Sequence, residues 1–169
     1  MEQNLETKLT IKEKMNNFYN IHKVKIFFLL FIFIILLIVA TFIQQKNEKN
    51  NILIAEKYVQ ANLNLSLNKK NEATDLFDEI ILSKNKFYSS LALNSIIEKK
   101  LVDNHDQILK YFNIVESLDL NNEDLDLIIF KKALYLLKVS KDSEGKNLLE
   151  KLIKKNSKFK ILAEEAIAK

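Results

Sequence analysis

One stretch limits what this chain can fold into before anything else is read. Residues 26–43, IFFLLFIFIILLIVATFI, hold sixteen Ile, Leu, Phe or Val among eighteen, and Thr41 is the one side chain in the run with a hydrogen-bonding group. At ~1.5 Å rise per residue the run makes roughly 27 Å of helix, close to the ~30 Å of bilayer hydrocarbon, and Val24 with the stem of Lys25 completes the crossing. At about −0.3 to −0.6 kcal/mol per apolar residue at mid-membrane, insertion is favoured by roughly 5 to 9 kcal/mol. A core helix of this length would show a polar face, and a cleaved signal peptide has a shorter apolar region followed by paired small residues. This run ends in Thr41-Phe42-Ile43-Gln44-Gln45 without such a pair. The sequence therefore predicts an uncleaved single membrane span.

The span divides the remainder into a tail (1–25), a polar linker (44–51, QQKNEKNN) able to extend the same helix out of the membrane, and a domain (52–169) of ordinary single-domain size. Sandwiches and barrels need Gly and Pro between strands, whereas this chain has one Gly and no Pro, so the domain is expected to be all-α. The absence of Cys removes disulfides, thiol nucleophiles and cysteine metal sites. The net charge of +4 comes from Lys, mixed beyond Ile43 with nearly as many Asp and Glu. Without an Arg-bearing basic face, no nucleic-acid partner is expected.

Five lysines precede the span (Lys8, Lys12, Lys14, Lys23, Lys25), against Lys46, Lys49 and Lys57 within a comparable distance after it. The positive-inside bias places the N-terminus in the cytoplasm and the domain outside, in the periplasm of a cell with two membranes. In the tail, Leu5, Leu9, Ile11, Met15 and Phe18 recur loosely at helical spacing. An amphipathic helix on the inner leaflet and a disordered stub account for them equally well. The two histidines, His22 and His105, are expected to be solvated at the surface, since two alone assemble no histidine-rich metal site.

Periodicity places helices at 51–67, 72–84, 87–100, 105–117, 123–139, 143–155 and 159–168. Asn104 and Asn122 stand where N-caps are wanted, the latter ahead of Glu123 and Asp124. Residues 71–87, NEATDLFDEIILSKNKF, align without a gap on 143–159, SEGKNLLEKLIKKNSKF, at an offset of 72 residues, two units of a helix-turn-helix repeat. Counting 34 on from Ala73 reaches Gln107, with Tyr111 in the place of Phe77 and Ile114 in that of Ile80. Twelve residues before Ala73, Gln107 and Gly145 stand the small Ala61, Ser95 and Ala133, where paired helices can approach closely.

At these residues the chain resembles the tetratricopeptide repeat superfamily. Ala61, Ala73 and Phe77 match its pattern, whereas its bulky aromatic near the start of the first helix falls on Lys57, Leu91 and Ile129, and its Pro after the second helix is absent. The likeness implies a degenerate solenoid of antiparallel helical hairpins beyond the span. The last helix, with Leu162, Ala163, Ala166 and Ile167, would cover its open end.

Chemistry finds no foothold in the sequence. Asp119, Glu123, Asp124 and Asp126 are dense, but no Gly or terminal Glu falls in calcium-loop register, so helix capping is the expected role. Gly145 lies inside an expected helix and forms no phosphate loop, and no serine has a histidine and acid placed beside it. No catalytic, cofactor or metal residue is assigned, and the chain is read as a binder rather than an enzyme. In a repeat stack the first helices of each pair line a concave surface. That surface is expected to carry Tyr58, Asn62 and Leu65, then Ala92, Ile96 and Lys99, then Phe130, Leu134 and Lys138.

A short basic tail, one span, an outward tetratricopeptide-like domain and a small terminal helix together resemble the ancillary subunit family of the Sec translocon. That resemblance implies a single-pass inner-membrane protein associated with SecYEG and with periplasmic chaperones handling exported chains. A bitopic assembly factor for division or envelope biogenesis is the alternative from the structural class. The span lacks small-xxx-small spacing, which weakens oligomerisation through the anchor.

Overall fold

The computed structural model describes residues 11–168, which form seven helices with no strand among the described residues. Leu5 and Leu9 of the tail pattern lie outside them. The chain divides into two compact units, Met1–Lys49 and Asn50–Lys169.

The first helix, α1 (Ile11–Ser66), contains no Gly or Pro to end it. It runs through the tail from Ile11, the apolar stretch and residues 44–51, so the polar linker continues the helix of the span. It is the one helix among the described residues long and apolar enough to cross a membrane. Within the first unit the apolar side chains are exposed, Phe27, Phe31 and Ile35 among them, as a lipid-facing span requires. Thr41 Oγ1 donates to the Ile38 carbonyl at 2.8 Å, so the lone hydroxyl of the run needs no outside partner.

The second unit holds the end of α1 and the helices α2 (Lys70–Leu82), α3 (Lys86–Glu98), α4 (His105–Glu116), α5 (Asn122–Lys138), α6 (Asp142–Lys154) and α7 (Lys160–Ala168). With no glycine at the turns, the helices end on other residues in the left-handed conformation: Asn68, Lys84, Lys100, Ser140 and Asn156, with φ from 49° to 62°. After Lys100, for instance, the Leu101 amide reaches back to the Ile96 carbonyl at 3.0 Å, which supplies a partner that a helix end otherwise lacks. Three N-termini, those of α3, α4 and α5, are capped by asparagine. Asn85 accepts from the amides of Phe87 and Tyr88, Asn104 from those of Asp106 and Gln107, and Asn121 from that of Asp124. The cap of α5 is thus Asn121, one residue before the one expected, and Asn122 is already helical.

From α2 onward each helix packs on the next. Alternate helices are tied as well. Asn85 at the head of α3 donates to Asn51 of α1 at 2.7 Å, Lys131 of α5 to Asn94 of α3 at 2.8 Å, and Lys158 before α7 to Glu123 of α5 at 2.5 Å. One core, with Phe77, Ile80, Leu93, Ile96, Phe112 and Val115 all fully or almost fully buried, joins α1 through α4 to one face of α5. The opposite face of α5 contributes Ala133 to a second core with Leu149, Leu152 and Ala163. The buried positions of the three segments line up with one another. Ala73, Phe77 and Ile80 correspond to Ile108, Phe112 and Val115, then to Gly145, Leu149 and Leu152, at spacings of 35 and 37 residues. The 34-residue count places the buried Tyr111 on Phe77 but the exposed Gln107 on Ala73 and the half-buried Ile114 on Ile80, so a spacing of 35 matches burial at more positions.

Candidate functional site

A groove of about 480 Å³ lies between α3 and α5. Its apolar lining comes from Phe87 and Leu91 on α3, Leu120 in the turn, and Leu127 and Ile128 on α5. Phe87 is 64% exposed although it is among the largest apolar side chains in the unit. Across the mouth, Lys86 Nζ stands 2.6 Å from Asp119 Oδ2, and this ammonium holds the exposed Asp119 carboxyl below the usual carboxylate range. A second depression of about 230 Å³, sharing Asn94 and Lys131 with the groove, continues it past Ile97, Leu134 and Tyr135 to Lys138. The two together form a trough running along both helices. Its wall residues correspond at the 37-residue spacing: Phe87 with Asp124, Ser90 with Leu127, Leu91 with Ile128, Asn94 with Lys131, Ile97 with Leu134.

Of the nine residues expected on this surface, Leu134 and Lys138 line the trough. Ala92 and Ile96 have no exposed surface and belong to the core. Tyr58 packs its ring against Phe77 and Tyr88, at 5.8 and 5.7 Å between centroids, and Leu65 packs on the same core. Phe130 is stacked on Phe159 at 5.7 Å on the other face of α5. Asn62 is exposed and donates to the Tyr58 carbonyl of its own helix, and Lys99 is exposed at the C-cap of α3. For Ile96 the cause is a one-residue difference in register, which turns a helix by about 100° and exchanges Ile97 of the trough for Ile96 of the core, whereas Tyr58, Leu65 and Phe130 are taken up by packing against neighbouring helices. Leu91, Asn94, Leu127 and Lys131 escape sequence reasoning because nothing local shows which side of α3 faces α5. The buried ladder Ile108, Phe112 and Val115 carries the signal that locates them.

The charged groups that could act as ligands are structural. Asp126, expected to cap a helix, is 5% exposed and lies 2.8 Å from Lys155 Nζ. Burial pushes its carboxyl up, but hydrogen bonds from Lys155 and Ser157 and the lysine charge outweigh that and hold it below the usual range. Glu116 and Lys132 approach to 3.0 Å between α4 and α5. The Tyr111 hydroxyl is pushed up to about 12, first by burial and then by Asp78 beside it. His105 is not simply solvated: its Nδ1 lies 2.6 Å from the Tyr135 hydroxyl. Among the described residues no three His, Asp or Glu converge on a point where a metal could sit.

No family model matches the chain, and neither the curated proteins nor the solved structures contain a match. The class of protein is therefore set by the coordinates alone: an all-helical chain with one candidate single membrane span.

Proposed function

We propose that this protein is a membrane-anchored, protein-binding scaffold whose second unit is a degenerate tetratricopeptide-like solenoid. The observation that carries the reading is the trough between α3 and α5, which exposes Phe87 and an apolar floor flanked by paired charges. Contiguous exposed apolar surface rimmed by polar groups is what a protein segment covers. The ties of α1 to α3, α3 to α5 and α5 to the start of α7 support a solenoid, in which first helices line one surface. Under the resemblance to the Sec ancillary subunit family, the span faces its N-terminus to the cytoplasm of an inner membrane. The trough then holds periplasmic chaperones or client chains near SecYEG. Photo-cross-linkers placed at Leu91 and Leu127 in cells test this: envelope or export proteins should be captured there and not from Glu72 on α2. Equal capture from all three positions, or capture of cytoplasmic proteins, overturns it.

A second reading, a bitopic assembly factor, draws on a different observation. Ile52, Val59 and Leu63 are each more than half exposed, 54% to 68%, and their spacing places all three on one side of α1. Sedimentation of the solubilised chain decides it: a stable oligomer that Val59→Lys and Leu63→Lys dissociate favours this reading.

A further inference from the structure

At the far end of the trough the surface changes character. A pocket of about 240 Å³ opens between the C-termini of α3 and α5 and the N-terminus of α4, sharing Ile97, Tyr135 and Lys138 with the trough. Its walls are apolar, with Ile96, Val102, Ile108 and Val139 beside the shared Ile97. Two lysines stand at it, Lys100 and Lys138, and neither ammonium has a partner among the described residues. Asp103 is the one acid in the lining. The other cationic lysines along this side of the molecule differ: Lys86 is paired with Asp119 and Lys131 is held by Asn94. The α4 N-terminus is already occupied by its own cap, Asn104, so the charge at the pocket is set by the two lysines against Asp103, with Glu98 in the adjoining trough.

We infer that this pocket takes the C-terminal residue of a partner polypeptide, its apolar side chain against the half-buried Ile97, Val102 and Val139 and its terminal carboxylate between Lys100 and Lys138. The inference rests on the scaffold reading and names the chemical end of the partner that the scaffold would grip. Size argues for a chain end. The volume falls below the ~300 to 1,000 Å³ of sites that enclose a whole small molecule, while the trough that opens from the pocket has room for the residues before the last. Charge argues for the carboxylate, because two unpaired ammonium groups beside apolar walls gain most from an anion that arrives attached to an apolar group. The tyrosine adds direction. In the imidazole tautomer with a proton on Nδ1, His105 donates to the Tyr135 oxygen, and the hydroxyl hydrogen is left for the carboxylate.

The experiment uses the full chain in nanodiscs and fluorescein-labelled hexapeptides of alanine ending in leucine, as the free acid and as the C-terminal amide. A version ending in aspartate and a competition with octanoate complete the set. The free acid ending in leucine is expected to bind at least tenfold tighter than its amide and than the aspartate version. Lys100→Gln with Lys138→Gln should remove that preference, Tyr135→Phe should reduce it about threefold, and Lys146→Gln on α6 should leave it unchanged. Equal binding of acid and amide overturns the inference while leaving the scaffold reading intact. Failure of every peptide, with or without displacement of a fluorescent fatty acid by octanoate, overturns it too. Loss of cross-linking at Leu91 and Leu127 is the separate result that removes the scaffold.

Discussion

The hairpin of α5 and α6 and the pair α3 and α4 correspond at a spacing of 37 residues, yet they are built on opposite principles. Ala133 and Gly145 meet so closely in the first that a Cβ on Gly145 would stand 2.9 Å from the Ala133 carbonyl oxygen and from the Leu137 side chain. In the second, Ile96 and Ile108 stand at the corresponding positions, and α3 and α4 approach each other at fewer places than α5 and α6. Small residues let two backbones close on each other; two isoleucines hold them apart. The pocket with Lys100 and Lys138 lies beside those isoleucines. Close packing in the last hairpin makes a rigid end, and the wider middle pair makes room.

That contrast can be broken at its centre. Ile96→Ala should cost about 2 to 5 kcal/mol, because the side chain is fully buried and the helices beside it would have to shift to refill the space. Urea unfolding of the solubilised chain, tracked by near-ultraviolet circular dichroism, measures it. Gly145→Ala tests the opposite member. Alanine is the better helix former by about 1 kcal/mol, but the clash is with backbone, so a net loss of roughly 1 to 3 kcal/mol is expected in the same assay.

A smaller effect separates the two pairs by pH. Ser89 and Asp126 are equivalent buried positions, the first neutral and donating to the Ile80 carbonyl at 2.9 Å, the second charged. Because the folded carboxyl of Asp126 titrates below its unfolded value, its contribution is complete above about pH 4 and is lost as pH falls through the folded pKa. Asp126→Asn should lower stability by about 1 to 3 kcal/mol at neutral pH and flatten the fall below pH 4, whereas Ser89→Ala should leave that fall unchanged. The smallest effect concerns the turns. Lys84→Gly should raise stability by up to about 1 kcal/mol, since lysine in the left-handed conformation is strained and glycine is not, and Asn68→Gly should gain less.

Helix class, number and approximate limits were legible because apolar spacing, asparagine caps and the lack of Gly and Pro all point the same way. The 72-residue correspondence was legible too, since Ala73 and Gly145, or Phe77 and Leu149, are alike in size and place. The middle copy was not. Its small position is filled by Ile108, so a count of 34 residues reaches Gln107 and pairs it with the small Ser95, and the face assignment of Ala92 and Ile96 goes with them. Asp126 was equally unreadable, because its partner Lys155 lies 29 residues away and the neighbouring acids suggest a cap.

By itself, the sequence determined that residues 26–43 form an apolar helix fit to cross a bilayer and that the chain beyond them is helical, because both depend on composition and local period. Which side of each helix is core, where the trough opens and which lysines are left without an acid were decided by tertiary structure. Those properties depend on rotation about helix axes, and a single residue of register between copies, which no local pattern reports, is enough to reverse them.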